Sequence, residues 1–134
     1  MITIDDIYAA INPMPAMLSA KGKVRPDVTF MAHANSRLTI HMSWKRPFVS
    51  NDWETDCECF SGETFEESLE KATAFINELP SADQAKLNHF MGKLGGLIDA
   101  GRDEGINVDY LNPLIDTMKR ISENVITFQP VAAQ

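Results

Sequence analysis

The cysteines, Cys57 and Cys59, are the residues of this chain best suited to metal or redox chemistry. They stand two apart in a segment of alternating polarity, which predicts a strand with both thiols on its apolar face. A buried free cysteine behaves as a small hydrophobe, and this spacing is not that of a zinc or redox pair. We therefore expect both thiols to be buried, reduced and unliganded, in a reducing compartment, and we expect no metal and no cofactor.

Two histidines, His33 and His41, fall on the opposite, polar face of the same predicted sheet. Without thiols beside them, two imidazoles make a poor zinc site. If Trp44 pairs with Trp53, His41 lies across from Asp56, whose carboxylate would orient the imidazole for acid or base catalysis. A hydrolase or transferase centred on His41 and Asp56 is one hypothesis for function, and an ordinary surface ion pair is the commoner use of such residues.

Charge is spread unevenly along the chain. Residues 1–50 carry six basic and three acidic residues, a net charge of +3, so residues 51–134 must carry −10 to give the total of −7. Several basic side chains of the first half could contact the phosphates of a nucleic acid, namely Lys21, Lys23, Arg25, Lys45 and Arg46. The overall acidity opposes such binding. A nucleic-acid-binding accessory protein is therefore an alternative hypothesis that we do not favour.

The spacing of apolar residues and the capping residues predict the helices and strands that position these side chains. A cap at Thr3 predicts a short amphipathic N-terminal helix. The prolines that follow predict an irregular apolar segment or a second helical turn around Met14. Alternation then predicts strands over 28–34 and 38–45, joined by a three-residue loop, and a third strand over 53–60.

A helix should cover the apolar face of this sheet. Thr64 and Glu67 have the spacing of a capping box, and an apolar stripe with helical period follows them. The predicted fold class is therefore α+β: a short N-terminal helix, a three-stranded antiparallel sheet covered by a helix, and a C-terminal αα-hairpin. Within one structural domain overall, residues 1–80 form the sheet layer, 81–128 the helical hairpin and 129–134 a frayed tail.

The predicted αα-hairpin has more apolar surface than its two helices can bury against each other. Its second helix repeats apolar residues at spacings of three and four, as a coiled-coil seam does. Glycines at 92, 95 and 96 indicate either close packing of another backbone or a hinge. We expect a homo-oligomer, most simply a dimer, with this interface: Phe90, Leu94, Leu97, Leu114, Met118, Ile121 and Val125.

Two segments are similar to a known group of proteins. They are residues 60–69, FSGETFEESL, and residues 111–124, which contain LNPL and MKRISEN. The chain resembles small uncharacterised proteins carried by bacteriophages and prophages of proteobacteria. This resemblance implies an accessory role in a bacterial cytoplasm, and we expect no signal segment and no membrane association.

The function that these patterns favour is that of a non-enzymatic interaction and oligomerisation module. Its partner is a second copy or another protein. Nucleic-acid binding by the basic first half and catalysis at His41 and Asp56 are the two alternatives.

Overall fold

The computed structural model describes residues 2–49, 51 and 53–123, in a chain that divides into two units, Met1–Ala82 and Asp83–Gln134. The α+β class predicted from the sequence is confirmed. The helices and strands are α1 (Ile4–Ile11), α2 (Met14–Ala20), β1 (Val24–Ala32), β2 (Leu38–Lys45), β3 (Thr55–Gly62), α3 (Phe65–Glu78), α4 (Ala82–Asp103) and α5 (Asn112–Ser122).

The N-terminal helix begins where its cap predicts. Thr3 N donates to the Asp6 carboxylate at 2.9 Å, and Asp6 N donates to Thr3 Oγ1 at 3.2 Å. These bonds, above all the one from the Thr3 backbone, lower the pKa of Asp6. The segment after α1 is the helix α2 rather than an irregular stretch, because proline is compatible with a first helical turn. Met14 and Leu18 of α2 are buried.

The first two strands pair with the predicted faces but in a different register. Ala32 lies opposite Leu38, where Ala34 was expected. The shift of two residues is even, so the same side chains still face the core. His33 N donates to Arg37 O at 2.9 Å, which closes the loop between the strands.

One face of the antiparallel sheet β1-β2-β3 is covered by helices, and we call it the covered face. It presents Ile40, Met42 and Trp44 of the central strand β2, all buried. The opposite face presents His41 and Ser43 of β2, and we call it the open face. The covered face forms the core with side chains of α1, α2 and α3, namely Ile11, Met14, Leu18, Phe65, Ala72 and Ile76.

Helix α3 is fixed to the sheet by its cap and by a buried serine. Glu67 N donates to Thr64 Oγ1, as the capping box predicts, but the Glu67 carboxylate accepts from Glu63 N instead of Thr64 N. The bond from Glu63 and the nearby Lys71 ammonium lower the pKa of Glu67. The fully buried Ser68 donates from Oγ to Leu38 O at 2.6 Å, which joins α3 directly to β2.

The third strand differs most from the prediction. It runs over Thr55–Gly62, and Trp53 precedes it with 91% of its surface exposed. Trp44 pairs with Asp56 instead of Trp53, a shift of three residues. An odd shift exchanges the two faces of a strand, so the prediction that Cys57 and Cys59 are buried is wrong. Both thiols are exposed on the open face.

The reason for the exchanged face is the aromatic side chain of Phe60. Its ring centroid lies 5.2 Å from that of Phe75 on α3, and Phe75 stacks on Trp44 at 6.1 Å. Covering Phe60 removes an aromatic side chain of large apolar area from water and places its ring against Phe75. The acids that share its side of β3 lie on an edge strand, where their carboxylates reach solvent.

In the second unit, α4 is one continuous helix through Gly92, Gly95 and Gly96, so the hinge alternative is wrong. A 3-10 turn at Asp109–Leu111 leads into α5, whose cap residue is Leu111 instead of Asn112. Residues 124–128 of the predicted last helix, the predicted tail 129–134 and the interface candidate Val125 lie outside the described residues. No helix within residues 2–49, 51 and 53–123 has both the length and the apolar character needed to cross a membrane.

Candidate functional site

The predicted acid–base pair is not formed. His41 lies opposite Cys59 on the open face, whereas Asp56 lies opposite Trp44 in register. Asp56 instead accepts a hydrogen bond from Arg46 Nε at 2.9 Å, and Arg46 Nη1 lies 3.0 Å from the Glu54 carboxylate. The bond to Asp56 is the main reason that the pKa of Arg46 is raised. The structure therefore separates His41 from the carboxylate that was expected to orient it.

The open face does contain a chain of polar contacts that the sequence did not reveal. The buried Thr39 hydroxyl lies 2.7 Å from Ser61 Oγ and 3.0 Å from His33 Nε2. Buried hydroxyls are normally hydrogen-bonded, and these contacts satisfy Thr39. Only the observed register brings Ser61 opposite Thr39, so the predicted register could not show this contact.

The thiols and imidazoles of the open face do not form a metal centre. Among the residues that the structure describes, no three His, Cys, Asp or Glu side chains are grouped so that they could hold a metal ion. Cys57 lies opposite Ser43, and Cys59 lies opposite His41. These polar side chains therefore form a solvated sheet surface.

Contacts within the chain hold Lys21, Lys23 and Arg46, which were considered for nucleic-acid binding. Lys21 Nζ donates to Leu79 O at 2.8 Å, at the C-terminal end of α3. The Lys23 ammonium lies 4.6 Å from the centre of the Trp44 ring, a cation–π distance. Arg46 binds two carboxylates, as described above. These three cations therefore already have partners within the chain.

The other two basic candidates lie at the irregular start of the sheet. Arg25 has a positive φ of 52° beside the β-bulge that separates Val24 from Asp27. Lys45 is opposite Val24 at the end of β2. The five residues therefore lie in different structural settings.

The two helices of the second unit lie side by side and enclose a groove of about 330 Å³. Met91, Leu94 and Ile98 line it from α4, and Ile115 and Met118 line it from α5. Near one end, Ser122 Oγ lies 3.2 Å from Met91 Sδ, so the end of α5 is beside the first half of α4. The helices are therefore antiparallel, and the predicted interface residues Leu94 and Met118 contribute to this groove.

Other predicted interface residues of α4 project away from the groove. Phe90 and Leu97 are 52% and 67% exposed, and a separation of seven residues places them on the same side of a helix. Gly95, which lines the groove, lies on the other flank of the stripe formed by Leu94 and Ile98. α4 thus presents a separate apolar surface outside the groove.

The corresponding side of α5 carries Leu114 and Ile121, again seven residues apart. Leu114 is exposed and Ile121 is partly exposed. The groove uses the opposite flank of α5, at Ile115 and Lys119. Because antiparallel helices bring equivalent flanks to the same side of the pair, the four side chains form one surface, which we call the outer patch: Phe90, Leu97, Leu114 and Ile121.

The three glycines inside α4 make no close contact within the described part of the chain, and their close approach to a second copy stays a prediction. A Cβ placed at Gly92, Gly95 or Gly96 would have no heavy atom within 4 Å in the described structure, apart from its own helix backbone and chain neighbours. The glycine that does require a close approach is Gly101, where a Cβ would lie 2.9 Å from Val108 Cγ1. Its position near the turn allows Val108 to pack onto α4, and the sequence pattern did not single it out.

Comparison with protein-family models, curated proteins and solved structures finds no match to this chain. No activity, ligand or partner can therefore be carried over from another protein. The outer patch and the contacts of the basic residues are the observations from which a function can be inferred.

Proposed function

We propose that this protein is a non-enzymatic interaction module that self-associates through the outer patch. The observation that carries this proposal is the exposure of Phe90, Leu97 and Leu114 on one side of the antiparallel pair α4 and α5. Scattered single apolar residues are normal on a protein surface, but a group that shares one face marks an interaction site. Burial of such side chains stabilises a complex by about 25 cal/mol for each Å² removed from water.

A second copy is the occupant that best fits the patch. Its residues repeat at a separation of seven on both helices, which is the repeat of a helix–helix seam. A twofold axis through the patch would place the α4 and α5 of one copy against those of the other and close the assembly at two subunits. In the proposed homodimer the outer patch forms the interface, and Leu94 and Met118 lie in the groove next to it.

The cellular setting is part of the same proposal. The resemblance of residues 60–69 and 111–124 to phage and prophage proteins supports an accessory role in a bacterial cytoplasm. The exposed thiols at Cys57 and Cys59 suit a reducing compartment, in which they would stay unpaired.

The test is a change of charge at the centre of the patch. We expect wild-type protein to have the mass of a dimer by light scattering at micromolar concentration. Leu97→Glu should raise the dissociation constant at least about tenfold, because it removes apolar burial and places two carboxylates at the seam. The matched control is Asn88→Glu, which adds the same charge at an exposed position two and a half turns from Leu97, on the opposite side of α4, and should leave the mass unchanged.

Two results would contradict the proposal. One is a wild-type monomer across the micromolar range. The other is a dimer that persists in Leu97→Glu and dissociates in Asn88→Glu, which would locate the interface elsewhere on α4. Circular dichroism of both variants distinguishes dissociation from unfolding, and the high exposure of Leu97 predicts that both variants stay folded.

A further inference from the structure

The outer edge of β1 offers backbone groups that no other strand uses. Among the described residues, β1 pairs only with β2, so it is an edge strand. The bond from His33 N to Arg37 O fixes which residues face β2, because this orientation alternates along an antiparallel strand. Residues 29 and 31 therefore bond to β2. The N–H and C=O groups of Val28, Phe30 and Ala32 point away from the sheet.

A cleft of about 430 Å³ lies along this edge, between β1 and the helix α1. Val28, Thr29, Phe30 and Ala32 form its strand wall, and Ile4, Ile7, Tyr8 and Ile11 form its helix wall. Ile4 is 69% exposed and Tyr8 is 55% exposed, although both belong to the apolar side of α1. The cleft thus combines a free hydrogen-bonding edge with an apolar wall.

Most charged residues near the cleft are acidic, and Arg25 at the start of β1 is the basic exception. Asp5 on α1 and Asp27 on β1 are exposed beside the two walls. Glu66 lines an adjoining pocket together with Ile7 and Phe30. α1 itself contains no basic residue. A ligand that carries lysine or arginine would therefore match the charge of this region.

We propose that this cleft binds an extended peptide as a fourth strand of the sheet. The peptide backbone bonds to Val28, Phe30 and Ala32, as in other complexes formed by strand addition. Apolar side chains at every second position of the peptide pack against Ile4 and Tyr8 on the covered side. The intervening side chains point to the open side, where a basic residue pairs with Asp27, which lies opposite Ser43. This site lies in the first unit and does not depend on self-association through the outer patch.

The orientation of the backbone gives a test at the level of single amides. In the free protein, hydrogen exchange followed by NMR should be fast at Val28, Phe30 and Ala32 and slow at Thr29 and Met31. The probe is the octapeptide Lys-Val-Thr-Val-Lys-Val-Thr-Val with blocked ends. At saturation it should slow exchange at Val28, Phe30 and Ala32 at least about tenfold, because each of these amides gains a hydrogen-bond acceptor or becomes excluded from water.

Substitutions at the two walls provide matched controls, with fluorescence polarisation of the labelled octapeptide as the readout. Ile4→Lys should weaken binding at least about tenfold, because it removes an apolar contact and adds a repelling charge. Ala9→Lys, at an exposed position of α1 outside the cleft, should leave binding unchanged. Ala32→Pro removes an outward donor without removing a bond to β2, and it should also weaken binding.

Several outcomes would overturn this inference. They are equal exchange rates along β1, no binding of the octapeptide at millimolar concentration, and binding that Ile4→Lys and Ala32→Pro leave unchanged. Protection of the outward amides that increases with protein concentration alone would mean that a second copy occupies the edge. Leu97→Glu should bind the peptide normally, so failure of this inference is distinguishable from failure of the proposed dimer.

Discussion

The two faces of the sheet use neighbouring residues of the same strands for different purposes. On β2, Ile40 and Met42 are fully excluded from water, while His41 between them is partly exposed on the open face. α2 and α3 supply the partners of the covered face, whereas the open face exposes both thiols and contains the buried Thr39 hydroxyl, which contacts Ser61 and His33. Alternation along one strand is therefore enough to give neighbouring residues opposite environments.

Substitutions on the covered face should destabilise the protein more than substitutions on the open face, and we expect the largest loss of stability at Met42. Met42→Ala should lower the free energy of unfolding by about 2–5 kcal/mol, since it leaves a cavity among Ile40, Trp44 and the helices that cover them. Urea denaturation monitored by circular dichroism measures the change. The control is Ser43→Ala on the open face, for which we expect a change within about 0.5 kcal/mol. Equal effects of the two substitutions would remove the distinction between the faces.

A smaller effect is expected where α3 is bonded to the covered side of the sheet. Ser68→Ala removes the 2.6 Å hydrogen bond to Leu38 O and should lower the free energy of unfolding by about 1 kcal/mol. Ser19→Ala, at an exposed position of α2, is the matched control and should have almost no effect. An unchanged stability of Ser68→Ala would show that the packing of α3 alone holds it to β2.

The smallest effect on stability should come from the open-face thiols. Cys57→Ser and Cys59→Ser should each change the free energy of unfolding by less than about 0.5 kcal/mol. In the native protein both thiols should react with Ellman's reagent without prior unfolding, because both are exposed. Slow labelling that accelerates only in denaturant would support burial of these side chains and the register first predicted for β3.

Much of the fold follows from local patterns that the structure preserves. The cap at Thr3, the alternation of β2 and the stripe of α3 each predict an element that is present. The pairing of β1 with β2 was wrong by two residues without consequence for the faces, because strong apolar side chains on both strands select the same side. Strong periodicity thus determined which side of each of these elements is buried.

The buried face of β3 could not be predicted in the same way, because neither face of this strand is clearly more apolar than the other. One carries Cys57 and Cys59, and the other carries Phe60 among acidic residues. Which face is covered depends on the contact between Phe60 and Phe75 of α3, and these residues are distant in sequence. The predicted pairing of His41 with Asp56 was wrong because of this register, whereas helical spacing alone places Phe90 and Leu97 on the same side of α4.

The irregular start of β1 has a consequence for the protein at high concentration. Its bulge, the positive φ of Arg25 and the missing N–H of Pro26 leave a regular edge only over residues 28–32, a span of about 17 Å. Amyloid growth needs a flat edge whose donors and acceptors continue at every step. An edge this short can take one strand but offers a poor template for stacking many copies. We therefore expect this edge not to seed fibrils even when the protein is abundant.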